Sequence, residues 1–413
     1  MHLNSIQQVH IISSLIAISI LFSCTKKTPK PVDVSFHRET MTRIDDRGDN
    51  WCITWTNEGD QVTSMCDGNW LNGEYEYHNH LYRIMGEADD FTRADIPGYP
   101  QFTYDHTGWF GYGVISIGNN LYATVSKTPG ENWSGPFRGI KMLKSTDSGK
   151  TWYRVNSLGE ERYLDPLDDT ARNDISPEEM FFMEESGKFK HDRLAFPFSF
   201  CSFVQNGQAN SAAQDDYIYI YSPEGSQTNQ LLLARAKQQK IENRDMWEYF
   251  MAWDGIEPLW TDDLDKRGVI HEFPKKNDSG EYFGWYSWLP CVVWNEGLGL
   301  YIMVNGGTYA GHGLSNSGED YYHKWMHTKT GSLGFWYAGK PYGPSNQFFY
   351  SEYWIVDDEK NRTYQPKLSP KWISEDGKDM VLIWSDAMKN EEGRSHSINY
   401  RWNQMEITLE LAQ

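Results

Sequence analysis

Positive charge is scarce in this chain: 38 Lys and Arg stand against 57 Asp and Glu, a formal net charge of −19 over 413 residues. That balance excludes binding to nucleic acid through its phosphates, which needs a cationic footprint. Cysteine is sparse, with five in all, and none falls in a CxxC or comparable zinc spacing. Apart from Cys24 the thiols are Cys52, Cys66, Cys201 and Cys291. Only Cys52 and Cys66 are near enough in sequence to meet across a hairpin, and an exported chain could oxidise them. Long apolar runs are missing after the first two dozen residues, so no later segment is long enough to span a bilayer as a helix. Long amphipathic helices are missing too. Ala234–Phe250 is the best local helical candidate, and Ser176–Glu185 the next.

The N-terminus is the exception and sets the expected compartment. Ile11–Phe22 is apolar except for Ser13, Ser14 and Ser19, the length of a signal-peptide core and too short for a membrane span. It ends in Leu21-Phe22-Ser23-Cys24, which resembles the lipobox of bacterial lipoproteins, where cleavage leaves a cysteine to be acylated. The expected organisation is a lipoprotein signal peptide over residues 1–24 with lipidation at Cys24, a tether over 25–44, and a single domain over 45–413. The expected location is the bacterial outer membrane, reached by export and held by the lipid anchor, with either membrane face open. The chain is expected to be a monomer.

Aromatics and glycine are abundant instead: 18 Trp, 25 Tyr and 35 Gly, with 23% charged residues. That mixture favours many short strands joined by tight turns, and it supplies flat faces on which sugar rings stack. Strand–turn–strand units recur along the chain. Trp51–Trp55 alternates before a turn at Asn57-Glu-Gly-Asp60; Gly113–Ile117 and Leu121–Val125 flank Gly118-Asn-Asn120; Tyr217–Tyr221, Cys291–Trp294, Leu300–Val304 and Met380–Trp384 follow. Ser145-Thr-Asp-Ser-Gly-Lys-Thr-Trp152 matches the Asp-box of propeller hairpins, in which the aspartate caps turn amides and glycine supplies a positive φ. Ser374–Asp379 reads as a degenerate second copy. Leu158–Lys190 and Gly306–Gly331 are poorly patterned insertions, of the kind that decorate one face of such a fold. The expected class is an all-β propeller with Asp-box-type turns and loop insertions.

Several phrases carry a resemblance in order over residues 45–390: Asp49-Asn-Trp51 with Thr54-Trp55, Cys66-Asp-Gly68, the Asp-box, Asp215-Asp-Tyr217-Ile-Tyr219-Ile-Tyr221, Leu233-Ala-Arg235, Trp247-Glu-Tyr-Phe250, Gly299-Leu-Tyr301, Tyr342-Gly-Pro344 and Lys371-Trp372. Together they resemble the propeller-type ulvan lyases and their bacterial lipoprotein relatives. The resemblance implies seven blades, an anionic sulfated uronate polysaccharide as partner, and cleavage by β-elimination with no required cofactor. That reaction needs an arginine to neutralise the uronate carboxylate and a base to take the C5 proton. A tyrosine serves as that base only when adjacent positive charge lowers its pKa. Tyr219 and Arg235 stand where the catalytic pair is expected. Gln205 and Asn210, just upstream, are candidate sugar hydrogen-bonders. The histidines expected upstream are absent; Tyr112 stands in place of one, and Arg138 could supply the other's charge. His78, His80 and His106 could lie at the cleft rim. A structural zinc, known among the relatives, would draw on His271 and Cys291. The alternatives from other classes are a non-catalytic glycan-binding lipoprotein and a sialidase-like hydrolase suggested by the Asp-box.

Overall fold

The computed structural model describes residues 29–71, 73, 75–103, 108–127, 137, 139–168, 173–183, 196–225, 229–273, 289–306, 331–351, 354, 356, 363–386 and 400–413. Within them the alternating β-branched and aromatic runs form antiparallel strands grouped in five sheets. Each sheet is a blade whose first strand lies innermost. The five inner strands are Ile53–Trp55, Trp109–Ile117, Ser202–Phe203, Cys291–Asn295 and Thr363–Ile373. They contact one another in ring order, the last touching the first, which makes the chain a five-bladed propeller. The expected seven blades are therefore corrected to five. The insertions hold part of the reason: Glu161–Leu164 and Phe182–Met183 join blade 2, and His271–Glu272 joins blade 3, so these segments widen existing blades.

The ring closes in blade 5, where the C-terminal strand Arg401–Leu411 pairs with both Pro31–Phe36 and Thr42–Arg47. Part of the stretch expected as a tether is thus sheet. Its alternation explains this: Val34 is buried in the blade 4/5 core, and Phe36 packs beside Phe349 and Trp354. Both helical expectations are also corrected. Ala234–Phe250 is the strand pair Gln230–Lys237 and Trp247–Asp254, and Ser176–Glu185 gives a turn followed by Phe182–Met183. Tertiary packing decides the first case, because Ala234, Ala236, Trp247 and Tyr249 all bury into the core between blades.

The Ser145–Trp152 turn joins two strands of blade 2. Asp147 accepts from the Thr151 amide at 2.9 Å and from its hydroxyl at 2.7 Å, and Trp152 packs edge-on against Tyr99. Ser374 and Asp376 repeat much of that pattern in blade 5, with Asp376 accepting from the Lys378 amide. Cys52, Cys66, Cys201 and Cys291 are free thiols, which corrects the expected Cys52–Cys66 bridge. The hairpin register places Cys66 opposite Asp49, while the Cys52 carbonyl accepts from Ser64.

At the seam between blades 1 and 5 the fully buried Trp51 and Trp70 meet Trp402, with ring centroids 4.9 and 5.3 Å from Trp51. The Trp51 indole donates to Ser385 Oγ at 2.9 Å, and Ser385 donates in turn to the Gly48 carbonyl. Trp51→Ala should cost about 3–5 kcal/mol by cavity formation. Trp51→Phe, which loses mainly the hydrogen bond, should cost about 1–2 kcal/mol. Urea denaturation midpoints of the two variants check this order.

Candidate functional site

The seam also brings two carboxyl groups together where the inner strands begin. Asp49 and Cys66 exchange backbone hydrogen bonds of 2.9 and 2.8 Å, so Asp67 is the residue next to the one opposite Asp49. Asn50 takes a left-handed φ of 59° while its side chain donates to the Gly111 carbonyl of blade 2 at 2.7 Å. Asp67 is left-handed too, at φ 56°. Gly68 follows because a Cβ there would lie 1.9 Å from the Arg47 carbonyl oxygen. The short Asp-Gly and Asp-Asn steps therefore let two backbone segments meet closely enough to align both acids.

Asp49 is 3% exposed. Burial, and then the neighbouring Asp67 carboxylate, push its carboxyl well above the ordinary range, with Tyr400, Tyr364 and Lys367 pulling the other way. Its Oδ1 is buried without a hydrogen-bond partner among the described residues. The Tyr400 hydroxyl donates to Asp67 Oδ2 at 3.4 Å, and His78 Nδ1 lies 3.6 Å from Asp67 Oδ1. Aromatic faces surround the pair: Tyr364 lies beside Tyr400, Phe110 packs against His78, and Arg47 lies over the Tyr400 ring. A carboxyl held neutral beside a second acid can give a proton to a departing oxygen while its partner handles water.

Tyr219 and Arg235 are brought together as cross-strand neighbours in blade 3. They lie at the end of the blade opposite Asp49, near the turn that leaves the inner strand. Burial and the Asp215 carboxylate, which accepts the phenolic proton at 2.7 Å, push the Tyr219 hydroxyl far above its ordinary value. Arg235 is held between Tyr217 and Trp260, 4.1 and 3.9 Å from their centroids, and pairs with Glu248 at 2.9 Å. The phenolate that would accept the proton is thus made scarcer at neutral pH, and the arginine already has a carboxylate.

The other predicted residues are scattered. Tyr112 is buried among Phe110, Phe137 and Phe200 near the carboxyl pair. Gln205 spends its amide on the Val114 carbonyl and its backbone on Val292 and Trp294, tying three inner strands together. Asn210 accepts from Asn206 in the turn preceding Tyr217. Arg138, Cys24, His106 and the lipobox lie outside the described residues. His271 packs on Phe273 and Trp336, whereas the Cys291 thiol bonds to Leu368. Among the described residues no group of three or more His, Cys, Asp or Glu could hold a metal ion, and no helix is long and apolar enough to cross a membrane. His80 pairs with Asp95 at 2.6 Å, while His78 is the histidine that reaches the carboxyl pair. In the sequence Asp49 and Asp67 stand only within the phrases Asp49-Asn-Trp51 and Cys66-Asp-Gly68; the signal there is two acids each next to a turn-forming Asn or Gly.

No protein-family model matches the chain, and no curated protein matches it. Solved structures are similar to the chain at low identity. An α-L-arabinofuranosidase of Podospora anserina, solved with cellotriose, is 8% identical, with 92% of this chain and 98% of that one covered and a TM-score of 0.45. A GH43_1 enzyme of Xanthomonas citri is 10% identical over 90% and 93% of the two chains, with a TM-score of 0.43. A provisionally named hydrolase of Bacteroides ovatus is 13% identical over 87% and 85%, with a TM-score of 0.48. The expectation of a polysaccharide lyase is corrected here. The Tyr219–Arg235 geometry lacks the lowered phenol and the unpaired guanidinium that β-elimination needs.

Burial lowers His271 to about 4 from its ordinary 6.5. The fold holds the imidazole neutral, so its contribution is intact above the unfolded value and fades as pH falls from about 6.5 towards 4. Between pH 7.5 and 5 the loss should be on the order of 2 kcal/mol. Urea midpoints at the two pH values check this, with His271→Phe showing a smaller drop.

Proposed function

We propose that this propeller hydrolyses glycosidic bonds at the Asp49–Asp67 pair. The observation that carries the reading is Asp49: a carboxyl buried to 3% exposure, raised by burial and by a second acid, with one oxygen left unpartnered. Asp49 gives its proton to the glycosidic oxygen as the C–O bond breaks. Water then bonds to the anomeric carbon and loses a proton to Asp67, so a hydroxyl forms on each fragment. Tyr364 is the partly exposed aromatic side chain at the pair, while Tyr400 and Phe110 are buried. Two acids at the site and a net charge of −19 favour a neutral glycan over a polyanion. The Leu21–Cys24 lipobox supports a place at the outer membrane.

Reducing-end release from a panel of neutral plant polysaccharides tests the reading. The full chain should release product, Asp49→Asn and Asp67→Asn should each lose roughly 100-fold or more in kcat, and Tyr219→Phe should keep wild-type turnover. Because Asp49 must be protonated, activity should fall as pH rises through its raised pKa, so the alkaline limb should lie above the ordinary carboxyl range. Wild-type turnover in Asp49→Asn would overturn the proposal. Retention of the wild type on a glycan gel with no product from any polymer would establish a binder instead.

A further inference from the structure

Farther along the axis is a buried cation that the proposed chemistry does not use. Lys367, on the inner strand of blade 5, is 2% exposed. Its ammonium donates to two carbonyl oxygens, Leu289 at 3.3 Å and Pro366 at 3.5 Å. Both bonds are long, and an ammonium has three donors. None of the ion pairs among the described residues includes it. The acid that feels it, Asp49, interacts with it only at a distance and forms no ion pair with it, and a buried ammonium without a directly paired anion is disfavoured.

Ser202, on the inner strand of blade 3, lies on the same axial cavity, and its hydroxyl is buried with no hydrogen-bond partner among the described residues. The other polar groups there face away or are committed. Gln205 donates to Val114, the Cys52 thiol to the Tyr112 carbonyl, and the Cys291 thiol to Leu368. The cavity has a volume of about 20 Å³, room for one water or one monoatomic ion. A single negative charge there would satisfy the ammonium and the hydroxyl together.

The geometry points to an axial halide site held by Lys367 Nζ and Ser202 Oγ. The ion cross-links blades 3 and 5 through the centre of the ring, where the inner strands of those blades do not pair directly. This inference stands apart from the hydrolase reading and survives its failure.

Crystals of the full chain grown in bromide give the direct test. An anomalous peak on the axis within hydrogen-bonding distance of Lys367 Nζ and Ser202 Oγ is expected, absent in Lys367→Met. The wild-type thermal midpoint should stand about 2 °C higher in chloride or bromide than in gluconate at equal ionic strength, and the difference should vanish in Lys367→Met. If that variant does not fold, Ser202→Ala should show a weaker peak. A water with no anomalous signal, and equal midpoints in the two salts, would overturn the site.

Discussion

Closure of the ring between blades 1 and 5 is the constraint on which the rest of the molecule depends. Trp51, Trp70 and Trp402 fill the seam, and Ser385 links the Trp51 indole to the Gly48 carbonyl. The Gly48 amide donates to the Tyr400 carbonyl at 3.1 Å, so Asp49 is delivered one residue beyond a point fixed to blade 5. Tyr400 and Tyr364 come from blade 5 and Asp67 and His78 from blade 1. The surroundings of the carboxyl pair are therefore complete only when the first and last blades are joined, which couples the site's environment to the fold's long-range closure.

The two ends of the propeller show how environment separates similar side chains. At the seam, burial and a neighbouring carboxylate push the Asp49 carboxyl well above the ordinary range, the direction that suits donating a proton. In blade 3 the same two influences act on Tyr219, but a phenol raised in this way loses its use as a base. Arg235, stacked between Tyr217 and Trp260 and paired with Glu248, braces that blade. Burial and local charge decide the roles, and the residue types alone do not.

Much of the fold was legible in the sequence because its signals are local. Tyr217–Tyr221 and Met380–Trp384 alternate, and both lie within strands of the structure. Blade number was not legible, because His271–Glu272 and Phe182–Met183 are short strands that join blades already begun. Ala234–Phe250 misled because its helix-forming residues are separated by a turn in space, and Trp247 is drawn into the inter-blade core. Of the site, Asp49 and Asp67 were visible only as neighbours of Trp51 and Gly68. The tyrosines that act on them, Tyr364 and Tyr400, lie some 300 residues away along the chain and are adjacent only after closure. No local pattern encodes such a meeting.

Infrared difference spectroscopy of the wild type against Asp49→Asn measures most directly whether Asp49 is held as a neutral carboxylic acid. At pH 6, well above the ordinary aspartate value, the wild type should show a protonated-carboxyl carbonyl band that the variant lacks and that disappears only at higher pH. A carboxylate signal from Asp49 at pH 6, with no protonated band, would contradict the account.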